Sequence, residues 1–176
     1  MAPPAKNILI TGNPGVGKTT MVRKLADMLG ELGPAGFYTA EIRDHGKRLG
    51  FELIDLAGDH LLLSHIGLKS PFRVGKYGVD VGALEKYLDT RRFTESSSRL
   101  IIIDEIGKME CCSAGFIREV ATLLDSDKRV LATIAKKGGG PIEAVKRRPD
   151  VRMFEVTLRN RDSLGADIAG LFKERH

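Results

Sequence analysis

Cysteine is scarce in this chain: two occur in 176 residues, and they are neighbours, Cys111 and Cys112. Adjacent cysteines do not readily bridge each other within ordinary backbone geometry, and no third thiol is available, so a disulfide framework is excluded. A reducing compartment, the cytoplasm, is expected. Long apolar runs are also missing. The longest, such as Leu100–Ile103, are about four residues, whereas a helix crossing a bilayer needs roughly 20. Met1–Lys6 carries no apolar stretch of the kind that opens a signal peptide, so neither export nor membrane insertion is expected. Histidine is sparse, and His45, His60, His65 and His176 stand at no metal-ligand spacing with one another or with the cysteines. A zinc site is therefore not expected. The two cysteines are expected instead as small packing residues at a helix start. No internal repeat and no low-complexity tract occurs.

What is present is ordinary for a globular protein, with 42% hydrophobic and 29% charged residues. A chain of this length buries roughly 70% of its unfolded surface, enough for one core and too short for a second full domain. Residues 1–176 are therefore expected to form a single domain. The net charge of +5 is unevenly spread: Lys128–His176 holds 12 of the 28 basic residues against 6 of the 23 acidic ones. Lys136, Lys137, Lys146, Arg147, Arg148 and Arg152 could make a phosphate-attracting patch. No aromatic-studded nucleic-acid motif accompanies them, which favours a solvated face or a substrate-attracting rim over RNA or DNA binding.

Hydrophobic spacing orders the chain. Asn7–Thr11 predicts a strand, and Met21, Val22, Leu25, Met28 and Leu29 predict the helix that follows a glycine-rich loop. Gly36–Arg43, Leu49–Leu56 and His60–Ile66 predict three strands. Joined by the short turns Asp44-His45-Gly46 and Ala57-Gly58-Asp59, they form an antiparallel meander. Residues 67–78 are expected as loop. A helix over Val81–Arg92 precedes Leu100–Ile103, a strand apolar on both faces, as in the centre of a parallel sheet. Further on come a helix marked by Phe116, Val120, Leu123 and Leu124, a strand over Val130–Ala135, a surface loop Lys136–Gly140 and a helix opening at Pro141. The strand Val151–Thr157 and a last helix with Asn160 or Asp162 as N-cap complete the chain. Strands alternating with helices imply an α/β fold with a mostly parallel sheet covered on two faces.

Gly12-Asn13-Pro14-Gly15-Val16-Gly17-Lys18-Thr19 matches the G-x-x-x-x-G-K-[ST] pattern. A loop that wraps phosphate oxygens must turn its backbone N–H groups inward, and glycine permits that geometry. In such a loop Lys18 reaches the β- and γ-phosphates and Thr19 offers its hydroxyl to Mg²⁺. The next helix presents its N-terminal dipole to the anion. The second element is Leu100–Ile103 followed by Asp104-Glu105. A carboxylate at the end of a buried parallel strand stands where open α/β sheets bind ligands. Asp104 is then the metal carboxylate, partly through water, and Glu105 is placed to orient or deprotonate an attacking water. Weaker candidates are Glu41 and Arg43 at a strand end, where surface pairing competes, Lys76 among glycines, where a plain turn competes, and Arg159 and Arg161 near a helix start, for the nucleobase or for transition-state charge.

These segments together resemble one family. Gly12–Thr20 (GNPGVGKTT), Gly36–Arg43 (GFYTAEIR), Arg48–Phe51, Val74–Val79 (VGKYGV), Leu100–Glu110 (LIIIDEIGKME) and Asn160–Asp162 fall in the order found in the small P-loop nucleoside-triphosphatases first known from thermophiles. Their vertebrate member is called cancer-related nucleoside-triphosphatase. The resemblance spans nearly the whole chain. It implies a RecA-like three-layer fold whose sheet is mixed at one side, and slow Mg²⁺-dependent hydrolysis of several nucleoside triphosphates to diphosphate and phosphate. Gly12–Thr20 and Leu100–Gly107 would contact the nucleotide, with Glu105 and Lys18 catalytic and Thr19 and Asp104 on the metal. Where the family commonly continues with leucine after the equivalent of Glu110, this chain has Cys111, a departure that touches packing. Ala135–Gly140 does not match the family's pattern. Two other activities fit the same loop: γ-phosphoryl transfer to a nucleotide or small acceptor, and a nucleotide-dependent RNA-binding switch. The oligomeric state is open, leaning to a monomer.

Overall fold

The computed structural model describes residues 6–174; Met1–Ala5, most of the segment read for a signal peptide, and the last two residues lie outside them. A strand β1 (Asn7–Gly12) leads through a loop into helix α1 (Lys18–Met28), whose buried Met21, Val22 and Leu25 follow the three-and-four spacing of the sequence. β2 (Ala35–Asp44), β3 (Lys47–Asp55) and β4 (His60–His65) form the expected antiparallel meander. At the first of its turns His45 and Gly46 both have positive φ, 45° and 76°, the backbone twist that a two-residue hairpin requires.

Residues 67–78 are not all loop. β5 (Arg73–Val74) and β6 (Tyr77–Val79) make a small hairpin that joins the sheet through β6 pairing with β4. Strands of two and three residues are too short for alternation to reveal them, and the pairing with β4 supplies what local pattern cannot. After α2 (Val81–Arg91) comes β7 (Leu100–Ile106), three residues longer than its apolar run. α3 (Ala114–Asp125), β8 (Arg129–Ile134), α4 (Pro141–Lys146), β9 (Val151–Val156) and α5 (Leu164–Lys173) complete the described chain. Cys111 and Cys112 close a single 3-10 turn before α3, and both are half-buried free thiols.

All nine strands join one sheet in the order β5-β6-β4-β3-β2-β7-β8-β1-β9. From β2 to β9 neighbours are parallel, and from β2 outward to β5 they are antiparallel. The fold is therefore α/β, with a parallel core continued on one side by hairpins. The double burial expected of β7 is met: Leu100 and Ile102 pack with Val22, Leu25 and Phe172 on one face, while Ile101 and Ile103 pack with Leu84, Phe116 and Val120 on the other. All four are at most 2% exposed, and each such side chain stabilises the fold by roughly 1.5–3 kcal/mol. β7 thus carries its own C-terminal end into the middle of the sheet, one strand, β8, away from the C-terminal end of β1. Among the described residues no helix is long and apolar enough to cross a membrane.

Candidate functional site

The loop between β1 and α1 closes on itself, with Val16 N–H donating to the Asn13 carbonyl at 3.2 Å and the Val16 side chain buried below. Gly17, the residue before α1, adopts φ 109°, ψ 23°, and Gly15 φ 77°, a region that L side chains rarely enter. No side chain caps the N-terminus of α1, and no acidic residue lies in its first turn. By contrast, α2 and α3 are capped by Asp80 and Ser113, which accept from Ala83 N–H at 2.9 Å and Phe116 N–H at 2.9 Å. The unpaired amide groups at the start of α1, with the dipole behind them, favour an anion there. Lys18 Nζ donates to the carbonyls of Gly12 at 3.0 Å and Asn13 at 3.3 Å, so the ammonium lies over the loop.

The acidic pair stands where the register of β7 against β8 breaks, between Ile103 and Ile106. The Asp104–Glu105 peptide is cis. Asp104 is 2% exposed. Its Oδ2 accepts from Thr19 Oγ1 at 2.7 Å and from Thr39 N–H at 3.5 Å, and its Oδ1 accepts from Thr133 Oγ1 at 2.5 Å. Burial pushes the Asp104 carboxyl above the usual range, opposed by the hydrogen bonds from Thr133, Thr19 and Thr39 and by the charge of Lys18. Glu105 is also raised, first by burial and then by Asp104, while Lys18 lowers it; no hydrogen bond contributes to its balance. Two predicted groups, Thr19 and Asp104, are thus in direct contact, with Glu105 beside them.

Gly107 lies on the Glu105 side of the site. A Cβ there would come within 2.6 Å of Glu105 Oε1 and 2.9 Å of Glu110 Oε2, so both carboxyl groups crowd the space that glycine leaves open. Thr20, Gly17 and Arg161 line one cavity of about 370 Å³ with Met21, Lys24 and Met28. Arg161 therefore stands beside the loop, whereas Arg159 is exposed on the turn after β9. Asn160 and Asp162 do not cap α5, which starts at Leu164 after Ser163. Asn160 instead clamps that turn, its Oδ1 accepting from Thr157 N–H at 2.8 Å and its Nδ2 donating to the Glu155 carbonyl at 2.9 Å. Glu41 pairs with Arg43 at 2.6 Å and Arg48 at 2.9 Å on an exposed surface, and Lys76 lies in the turn of the β5–β6 hairpin with Nζ over the Tyr77 ring.

Four residues join the site in ways the sequence does not show; it singles out neither Thr133 nor Thr39, whereas Lys136 reads there as part of a basic patch and Glu110 as part of the family run. Thr133 and Thr39 reach Asp104 from neighbouring strands, and only sheet order brings them there. Lys136, after β8, donates to Asn13 Oδ1 at 3.1 Å and Glu155 Oε1 at 2.7 Å, tying its loop to the phosphate loop. Glu110 is a carboxyl 5% exposed, raised to about 8 by burial and then by the charge of Glu105. The charged residue in LIIIDEIGKME was readable, but its burial was not.

Comparison with known proteins shows the family. The chain matches the family model described as NTPase over residues 7–169. It is 46% identical over 170 residues to the nucleoside-triphosphatase THEP1 of Thermotoga maritima, covering 94% of this chain and 95% of that one. The human cancer-related nucleoside-triphosphatase is 41% identical over 180 residues, with 93% and 95% covered. Among solved structures, THEP1 from Aquifex aeolicus superposes with a TM-score of 0.82 at 37% identity, covering 94% of this chain and 98% of the other. The solution structure of the human protein gives 0.81 at 38%, with 97% and 98% covered. With a P-loop and an aspartate on its threonine at the same sheet edge, and with relatives matched over nearly their full length, this chain belongs to the NTPase family.

Proposed function

We propose that the chain, acting as a single domain, hydrolyses nucleoside triphosphates to the diphosphate and phosphate, slowly, with Mg²⁺ and with little preference among bases. The observation that carries this reading is the 2.7 Å hydrogen bond between Thr19 Oγ1 and Asp104 Oδ2, which joins a phosphate loop to a buried carboxylate. A hydroxyl and a carboxylate are the hard oxygen donors that Mg²⁺ takes, and among the described residues no cationic side chain is bonded to the buried Asp104. Thr19 and Asp104 would hold the ion, Asp104 partly through water, and the ion would supply positive charge against the phosphates.

The protein's own groups do the rest. Backbone N–H groups of Gly15–Thr20 bind phosphate oxygens, and Lys18 turns from the Gly12 and Asn13 carbonyls to the β- and γ-phosphates. Glu105, raised by burial and held by no hydrogen bond, accepts a proton from water as the water oxygen bonds to the γ-phosphorus. The bond from that phosphorus to the bridging oxygen breaks, and the diphosphate leaves. Gly107 leaves Glu105 room to make this contact. The cavity of about 370 Å³ beside Thr20 has Met21, Met28 and Ala166 among its walls together with Lys24, Arg161 and Asp162, and its apolar part would take purines and pyrimidines alike. Arg161, rather than Arg159, would meet the nucleotide there. The basic C-terminal residues are partly paired, Arg148 with Asp125 and Asp150 and Lys146 with Glu143, which favours a rim over a nucleic-acid surface.

The test measures phosphate release from ribo- and deoxyribonucleotides with and without Mg²⁺. Glu105→Gln is expected to lower kcat about tenfold or more with KM nearly unchanged, whereas Lys18→Ala worsens both. Unchanged turnover in Glu105→Gln removes that residue from the mechanism.

A further inference from the structure

Glu105 borders a second space. A cavity of about 190 Å³ opens beside it, and no residue of the phosphate loop lines it. Its apolar walls are Phe51 from β3, Leu63 from β4, Val74 from β5, and Met109 and Ala135; Thr39, Lys108, Glu105 and Glu110 supply its polar groups. An apolar cavity of 150 Å³ is large enough to hold benzene, so this one takes a molecule of that size or a little larger. A water molecule needs a fraction of that volume and no apolar wall. Hydrolysis alone therefore leaves the cavity unexplained.

Glu110 deepens the case. It is 5% exposed, lines the cavity and, among the described residues, has no ion pair and no hydrogen bond to another side chain; the groups that stabilise its charge are its own backbone N–H and that of Gly107. The charged or titratable neighbours are Glu105 and Asp104 on β7, Lys108 before the 3-10 turn, and Cys111 and Cys112 within it. β2, β3, β4 and β5 face the cavity with the uncharged Thr39, Phe51, Leu63 and Val74. Burial raises Glu110 to about 8, so its carboxyl is largely neutral near pH 7 and calls for no cationic ligand. A neutral carboxyl both donates and accepts, which suits a hydroxyl.

We propose that this cavity is an acceptor site for a small, neutral, largely apolar hydroxy compound, to which the γ-phosphoryl group passes in place of water. The proposal rests on the reading of Glu105 given above. The acceptor hydroxyl lies between Glu105 and Glu110, with its apolar body against Phe51, Leu63 and Met109. Glu105 takes the hydroxyl proton as the acceptor oxygen bonds to the γ-phosphorus. The bond from phosphorus to the bridging oxygen breaks, its electron pair leaves with the nucleoside diphosphate, and Glu105 returns the proton to solvent. The products are a phosphate monoester and the diphosphate.

The test incubates the full chain with Mg²⁺, γ-labelled ATP and benzyl alcohol or cyclohexanol, with glycerol as the polar control. Products are separated by chromatography and assigned by phosphorus NMR. Saturation-transfer NMR of the same alcohols reports binding without turnover. The expected result is a labelled ester that rises saturably with benzyl alcohol or cyclohexanol, at the expense of free phosphate, and none with glycerol. Val74→Trp, which fills the cavity from the short strand β5, is expected to cut ester formation about tenfold or more and leave phosphate release in plain buffer within about twofold. Free phosphate as the sole labelled product overturns the proposal, whether or not the alcohols bind. So does a Val74→Trp variant that makes as much ester as the natural chain. If Glu105→Gln still hydrolyses ATP at the natural rate, it is the reading of Glu105 that fails; if that variant is inactive and no ester forms, only the acceptor site fails.

Discussion

Thr133→Val removes one hydroxyl and keeps the shape of the side chain, so it opens no cavity. Thr133 is fully buried, and its Oγ1 donates to Asp104 Oδ1 at 2.5 Å. That oxygen has no other hydrogen-bond partner among the described residues, since Thr19 and Thr39 both reach Oδ2. A hydrogen bond to a charged group contributes about 1.5–3 kcal/mol, and the variant is expected to lose that much at neutral pH. The loss is pH-dependent. Asp104 is raised in the folded protein, and Thr133 is the largest of the influences that oppose the rise. A carboxyl raised on folding adds stability that is complete below its unfolded pKa, near 3.9, and is lost as pH rises through the folded value. Removing Thr133 lifts the folded value further, so the penalty is greatest above the folded value and shrinks toward pH about 4. Urea unfolding at the two pH values, with m held equal, measures it. A Mg²⁺ titration of turnover should also show a several-fold higher requirement, because the Asp104 carboxylate is less available. A loss below about 0.5 kcal/mol at neutral pH, or an equal loss at both pH values, would refute the assignment of Thr133 as the support of an ionised Asp104.

Two further perturbations test the surroundings. Glu110, raised from 4.5 to about 8, contributes stability that is full below pH 4.5 and lost as pH climbs through about 8. Glu110→Gln should abolish that alkaline decline, so that the difference in unfolding free energy between pH about 6 and pH about 9 shrinks on the order of 1 kcal/mol or more; identical profiles would show that the carboxyl does not titrate there. Ser113 caps α3 through Phe116 N–H at 2.9 Å and donates to Glu85 Oε1 at 2.8 Å. Ser113→Ala should cost about 1 kcal/mol in urea unfolding and return Glu85, now held low chiefly by Ser113, toward its ordinary range by carboxyl NMR titration.

Local signals served well wherever one segment contained its own explanation. The glycine spacing of Gly12–Thr19, the three-and-four pattern of α1 and the doubly apolar Leu100–Ile103 each encode an element and its neighbour. The β2–β3–β4 meander was readable from its turn residues, and Pro141 marked the start of α4. Where the signal was short or shared, it failed. The β5–β6 hairpin has too few residues to alternate, and Asn160 looks like a cap because the same side-chain chemistry also clamps a turn.

By itself the sequence determined that a phosphate loop and an acidic strand end exist, because both depend on residues adjacent in the chain: glycines that free the backbone, a lysine and threonine at fixed offsets, and carboxylates after an apolar run. Only the tertiary structure decided what surrounds them. Placing β7 between β2 and β8 brings Thr39 and Thr133 to Asp104, and the strands β2–β5 bring Thr39, Phe51, Leu63 and Val74 to the cavity beside Glu105 and Glu110. Those contacts join residues as many as 65 positions apart, and burial in a low-dielectric interior, which no local pattern encodes, sets the protonation of the carboxyls they enclose.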